Sequence, residues 1–138
     1  MSRRFKLADT AQQLVGGFLL AGPFVVTAEV WELATNMGWP HAALTAGIVV
    51  AIGYGALYKA DVDRDPDREA EVGGVPLRFL SLMAVAFGSV TALSLILTAP
   101  ETLLADLPAG ARPAVTVRAI CVGAIFSVVG AATADSLF

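Results

Sequence analysis

The first apolar stretch of the chain, residues 10–36, carries two acidic residues, Glu29 and Glu32, that could bind a cation or a proton. Because they are three residues apart, they share one face of a helix. A charged side chain at the centre of a bilayer costs about 2.5–3.5 kcal/mol on insertion scales, so such residues usually face a protein interior, a partner or water. These acids are therefore the leading candidates for a carboxylate site.

Four further residues of the same stretch complete the candidate ion pathway: Gly22, Pro23, Thr27 and Asn36. Gly22 and Asn36 fall on the helix face that carries the two acids. Pro23 predicts a kink, and it frees a backbone carbonyl near position 19 that could line the same path. Trp31 points away from this face, which predicts an anchor that contacts lipid.

Two arginines inside apolar segments are expected to neutralise acids at matching depths. Glu32 and Arg118 lie at similar distances from the same end of their predicted helices, so a structural ion pair between them is predicted. The same reasoning pairs Arg78 with Asp135 at the opposite end. Glu29 then has no obvious partner, which makes it the favoured functional residue.

The composition indicates a membrane protein. Of the 138 residues, 57% are apolar and 15% are charged, and the mean hydropathy is +0.73. Soluble domains carry about 25% charged residues. The chain is predicted to be all-α, a single-domain four-helix transmembrane bundle over residues 1–138. Its predicted helices are 10–36, 40–60, 76–98 and 113–137, and an acidic loop occupies 61–75.

Basic residues are distributed unevenly between the two ends of the predicted helices. Seven of the nine lysines and arginines belong to the N-terminus and to the second connection with its helix ends. Basic residues favour the cytoplasmic side of a membrane. Both termini and the acidic loop are therefore predicted to be cytoplasmic (N-in and C-in), in a multi-pass protein of the cell membrane.

Each predicted helix also carries small residues at four-residue spacing, which lets helices approach closely in lipid. Much of this pattern is explained by packing within one bundle, but four stripes exceed what a minimal bundle needs. A homo-oligomer is therefore expected. The stripes are Gly17 and Ala21; Gly47, Ala51 and Gly55; Ala84, Gly88 and Ala92; and Gly123, Ser127 and Ala131.

No enzyme is expected, because the sequence holds no Ser-His-Asp set, no HExxH motif and no phosphate-cradling loop. Neither a cofactor nor a metal site is expected, since Cys121 and His41 are single. The acids of residues 61–71 fail the spacing of a calcium loop at Pro66 and Val72. The expected partners are the lipid bilayer and further copies of the chain, with no nucleic acid.

Residues 8–31 resemble a family of small integral membrane proteins of unknown function from halophilic archaea, which has longer relatives in bacteria. The ending Gly130-Ala-Ala-Thr-Ala-Asp-Ser is also similar. The resemblance implies four membrane helices and a haloarchaeal source, and it brings no activity and no functional residue. The shared element is a proline, a threonine, a glutamate and a tryptophan, here Pro23, Thr27, Glu29 and Trp31.

Three functions are compatible with these features. The first is a cation channel or pathway in an oligomer, in which Glu29 attracts monovalent or divalent cations. The second is proton-coupled export, because Ala28-Glu29-Val30 is similar to the acid-bearing first helix of small multidrug resistance exporters. The third is a non-transporting membrane subunit that binds a partner protein through its small-residue faces.

The predicted orientation can be tested with cysteines introduced at Asp65 and Asn36. An impermeant thiol reagent added to intact cells should label Asn36→Cys and spare Asp65→Cys, because the basic residues around the acidic loop favour the cytoplasm. Labelling of Asp65→Cys alone would reverse the orientation.

Overall fold

The computed structural model describes residues 5–59, 71–72 and 74–137, and this part of the chain is almost entirely helical. The all-α class is therefore confirmed. Most of the predicted acidic loop lies outside the described residues. The helices are α1 Leu7–Val25, α2 Ala28–Asn36, α3 Trp39–Tyr54, α4 Leu77–Ile96, α5 Ala99–Leu103 and α6 Arg112–Leu137. The remaining elements are a π-helical turn, Gly55–Lys59; a 3-10 turn, Ala109–Ala111; and an antiparallel ladder of β1 Glu71–Val72 with β2 Val75–Pro76.

Three helical segments of the described chain are long and apolar enough to cross a membrane. They are Trp39–Tyr58, Leu77–Ile96 and Ala109–Ser136. Helices α1 and α2 meet the same criterion only when they are taken together, and they are bent by 79° at the break between them. The described residues therefore contain three candidate spans, or four if the bent pair is one.

The break between α1 and α2 differs from the kinked single helix predicted over residues 10–36. Pro23 lies in the last turn of α1, where it can donate no backbone hydrogen bond. The end of a helix leaves carbonyl groups without intrahelical partners. Thr27 Oγ1 donates to the Phe24 carbonyl at 3.0 Å, and Trp31 Nε1 donates to the Val25 carbonyl at 2.9 Å. Two side chains thus satisfy carbonyls of α1, and the chain turns sharply where a gentle kink was expected.

Trp31 is buried, which corrects the prediction that it contacts lipid. Only 2% of its surface is exposed. It belongs to an apolar cluster with Val25, Ala34, Ala99 and Leu104. The sharp turn after α1 folds α2 back over the other helices, so the face of α2 that carries Trp31 becomes an inner face.

Helix α6 is the central element, because it contacts each of the other five helices of the described chain. It crosses α1 at Gly16 and Gly130, where the two backbones touch. A Cβ added to either glycine would overlap the carbonyl oxygen of the other. Phe24 of α1 also stacks on Phe126 of α6, with ring centroids 3.7 Å apart. The α1–α6 contact is therefore limited by the backbone itself and leaves no room for side chains.

The two described ends of the chain meet at one end of the molecule. Arg78, at the start of α4, forms ion pairs with Asp9 near the start of α1 and with Asp135 near the end of α6. The opposite end holds α2, α5 and the connection into α6. Helices α1 and α4 therefore run in one direction and α6 runs in the other.

The small-residue stripes divide into an inner and an outer set. Gly17 and Gly123 are buried, and a Cβ on Gly17 would lie 2.8 Å from Ser127 Oγ. In contrast, a Cβ added at Gly47, Gly55 or Gly88 would meet nothing within 4 Å among the described atoms. The stripes of α1 and α6 serve packing within the chain, whereas those of α3 and α4 face outwards.

This division predicts opposite responses to the same substitution. Gly130→Ala should lower the free energy of unfolding by about 1–3 kcal/mol, because the new methyl group overlaps the Gly16 backbone. Gly88→Ala, its matched control on α4, should leave stability unchanged or slightly raised, since alanine favours a helix. Unfolding in mixed detergent micelles measures both, and equal losses would contradict the assigned α1–α6 contact.

Candidate functional site

Glu29 and Glu32 both lie on the exposed side of α2, whereas Val30, Trp31 and Ala34 form its buried side. Neither carboxylate forms an ion pair or a hydrogen bond with any residue that the structure describes. Glu29 lies in the first turn of α2, where the helix dipole favours a negative charge. The two acids are therefore surface groups at one end of the molecule, and they are not enclosed between the long helices.

The predicted ion pair between Glu32 and Arg118 is absent from the described residues. Arg118 instead donates to the carbonyl groups of Met37 and Ala114, and its guanidinium lies 5.4 Å from the centre of the Trp39 ring. Because α2 turns away after the break, Glu32 faces outwards. Arg118 binds the carbonyl of Met37, the residue that follows α2, in place of the Glu32 carboxylate. A cation is favourable at this end of a helix.

The other predicted pathway residues do not converge with the acids on one cavity. Asn36 is exposed on α2, and Pro23 is exposed on α1. Gly22 is half-buried, and a Cβ there would meet nothing within 4 Å in the described structure. Thr27 is engaged in the helix break through its bond to the carbonyl of Phe24. The break therefore separates Gly22 and Pro23 on α1 from the three predicted pathway residues on α2.

The centre of the molecule is filled. Ser89 of α4 and Ser127 of α6 are buried and form a hydrogen bond of 2.7 Å with each other. Gly17 of α1 lies against both hydroxyl groups. Apolar clusters occupy the space on either side of this layer. An ion that moved along the middle of a single chain would have to cross this packed layer.

A buried charged cluster occupies the end where α1, α4 and α6 meet. Arg78 is fully buried; its Nη1 donates to both carboxylate oxygens of Asp135 at 2.8 and 3.0 Å, and its Nη2 lies 3.2 Å from Asp9 Oδ2. The structure thus contains the Arg78–Asp135 pair that the matching depths predicted. Asp9 is a further partner that this pairing did not include, and it also accepts from the Lys6 backbone amide at 2.8 Å.

A neutral polar chain extends this cluster along α1. The Ser81 hydroxyl donates to Gln13 Oε1 at 2.7 Å and lies 2.8 Å from Thr10 Oγ1. Gln13 is fully buried. Thr133, also near the end of α6, is exposed, and its hydroxyl donates to the Val129 carbonyl of its own helix. The cluster therefore joins α1, α4 and α6, and its role is to hold these helices together.

The side chains that commonly bind metals share no site in the described part of the chain. The described residues contain no group of three or more histidine, cysteine, aspartate or glutamate side chains placed to bind one ion. His41 lies in the first turn of α3, where its Nδ1 accepts from the Gly38 amide at 3.0 Å. Cys121 is buried in α6.

No family model, curated protein or solved structure matches the chain. The resemblance to small membrane proteins of halophilic archaea therefore stays a prediction. Its shared element nevertheless has a clear structural role here, because three of its four residues build the helix break: Pro23 ends the helix, and Thr27 and Trp31 satisfy its last carbonyls. Glu29 is the fourth, and it remains exposed.

The charged cluster can be tested by removing its central cation. Arg78→Met should cost about 3–5 kcal/mol of stability, because it removes the guanidinium from between two buried carboxylates. Arg78→Lys should cost less, since it keeps the charge, but it should not match the wild type because it lacks the planar fork whose Nη1 contacts Asp135 and whose Nη2 contacts Asp9. Lys6→Met is the control, because Lys6 is exposed at the same end. If Arg78→Met lowers the free energy of unfolding no more than the control does, the cluster does not hold the three helices together.

Proposed function

We propose that the protein is a four-helix transmembrane bundle of the cell membrane, in which α1 of the bent α1–α2 pair makes the first crossing and both termini lie in the cytoplasm. Three apolar spans and the bent pair support the four crossings. Asp9 and Asp135 bind the same arginine, so the two described ends lie on one side. The excess of lysine and arginine in the segments at that end favours the cytoplasm.

In this arrangement we expect the two acids to lie outside the hydrocarbon layer, because they follow the helix break. Helix α1 has 19 residues. At 1.5 Å per residue it is about 28 Å long, close to the thickness of ~30 Å of a bilayer core. A helix bent by 79° from such a span runs nearly parallel to the membrane plane. Glu29 and Glu32 therefore face the outer aqueous phase, where a charge costs little.

We infer that several copies assemble and that a cation pathway runs between them, with Glu29 and Glu32 at its outer mouth. The observation that carries this inference is the pair of exposed carboxylates on one face of α2, which form no ion pair with any described residue. A ring of such groups raises the local concentration of monovalent and divalent cations. The packed layer at Ser89 and Ser127 favours a pathway between copies over one within a copy.

Outward-facing small residues favour a second candidate function, a non-transporting subunit that binds a partner protein. Gly47 of α3, Gly55 of the π-helical turn that follows it and Gly88 of α4 leave space that another helix could fill. The same surfaces serve a homo-oligomer, so flux measurements must distinguish the two. The third candidate, proton-coupled export, gains no specific support, since Glu29 lies exposed on α2 and not in an enclosed pocket.

Cation flux through purified protein in liposomes tests this proposal. The wild type should pass Na⁺, K⁺ or Ca²⁺ in preference to chloride. The double variant Glu29→Gln, Glu32→Gln should lose much of that preference at low ionic strength. The difference should shrink near 1 M salt, where the Debye length falls to about 3 Å, because the acids act through the field at the mouth.

Asp106→Asn is the matched control for this experiment, because Asp106 is an exposed acid in the connection between α5 and α6. It should leave flux and selectivity as in the wild type. Liposomes that pass no cation, or a double variant that behaves as the wild type does at every salt concentration, would refute the pathway and leave the partner-binding subunit.

A further inference from the structure

A pocket of about 450 Å³ opens where α4 ends, α5 follows and α6 begins. Its volume is within the range of about 300–1,000 Å³ that is usual for small-molecule sites. Most of its surface is apolar, but it also contains one acidic and one basic side chain. Its lining residues include Leu95, Pro100, Glu101, Arg112, Pro113 and Thr116.

Arg112 is held at the side of this pocket by its own connection. Its Nε donates to the Leu107 carbonyl at 3.3 Å and its Nη2 donates to the Ala105 carbonyl at 3.4 Å. A guanidinium has five N–H donors, so further donors remain for an acceptor in the pocket. The arginine is half-buried. The structure therefore presents a positioned cation beside an apolar surface.

Glu101 lines the same pocket, yet it forms no ion pair with Arg112 or with any other residue that the structure describes. The pocket thus keeps two opposite charges apart. A ligand that fits it carries a negative group for Arg112 and a hydrogen-bond donor for Glu101. Thr116 adds no further donor, because its hydroxyl is bonded to the Arg112 carbonyl at 2.7 Å.

We propose that this pocket binds a phospholipid whose headgroup carries a hydroxyl or an ammonium beyond its phosphodiester. The phosphate binds Arg112, and the terminal donor of the headgroup binds Glu101. The apolar surfaces of Leu95, Pro100 and Pro113 accommodate the start of the lipid chains. This inference rests on the membrane placement proposed above, which brings the end of α4 and the start of α6 to the headgroup layer.

Native mass spectrometry of the detergent-purified protein, given equal amounts of three lipids, tests the proposal. Phosphatidylglycerol ends in hydroxyls and phosphatidylethanolamine ends in an ammonium, whereas phosphatidylcholine has no donor. The first two should be retained at one per chain and in preference to the third. Glycerol 3-phosphate, added in excess, should fail to displace them, because it lacks the chains that the apolar surface binds.

Two variants assign the retained lipid to this pocket. Arg112→Gln should lower retention of all three lipids about tenfold or more, as expected for loss of a charged hydrogen bond. Glu101→Gln should abolish the preference over phosphatidylcholine, because a neutral amide holds an ammonium or hydroxyl less well. The controls are Arg118→Gln and Asp106→Asn, which remove the same charges at the same end outside the pocket.

Retention of phosphatidylcholine equal to that of the other two lipids would overturn the proposed recognition of the headgroup donor. Equal losses from Arg112→Gln and Arg118→Gln would overturn the site. Displacement by glycerol 3-phosphate would show that a free phosphate ester, and not a lipid, is the ligand. Because lipid retention is measured without flux, silent liposomes would refute the cation pathway and leave this result unaffected.

Discussion

The contact between the backbones of α1 and α6 at Gly16 and Gly130 constrains the whole molecule. Two helices that meet without intervening side chains have one permitted separation and one permitted register. That register brings Asp9 and Asp135 to the same arginine and aligns Phe24 with Phe126. In lipid, where helices gain little from hiding apolar surface, such close packing is the main source of association. The remaining helices then pack around α6.

Charged side chains are buried at one end of the molecule and exposed at the other. At the end with Arg78, carboxylates and a guanidinium are removed from solvent and held in direct contact. Such a buried cluster adds little net stability, but any register that separates its members leaves a charge without its partner, which is costly. At the end with α2, Glu29 and Glu32 stay exposed. The first arrangement fixes the structure, whereas the second leaves charge available to a solute.

Features that depend on position along a helix could be predicted from the sequence. The apolar segments gave the spans, and equal depth in two helices was sufficient to pair Arg78 with Asp135. The direction in which a side chain faces, and therefore its partner, could not be predicted in the same way. Helix spacing predicts the face of Trp31 only along a continuous helix, and residues on the two sides of a break no longer follow one helical repeat. The partner of Arg118 is the backbone carbonyl of Met37, and since every residue has a carbonyl, no residue type marks it.

The break itself has a signal in the sequence, which is the combination of Pro23, Thr27 and Trp31. Pro23 predicts a disturbance of the helix, and its effect on a long apolar segment is commonly a kink. A complete break also needs groups that satisfy the freed carbonyls. Thr27 and Trp31 supply these groups at the right spacing, so the proline, the threonine and the tryptophan act together.

The central place of α6 has a consequence for biosynthesis. In the order of the chain, α6 is synthesised after α1, α3 and α4, yet it is the helix on which they pack. When α4 has been synthesised, Arg78 is present in the nascent chain, while its partner Asp135 is still to be made. The early helices are therefore synthesised before α6, the helix with which each of them packs. The contacts through which α6 holds α1, α3 and α4 together can therefore form only after α6 has been synthesised.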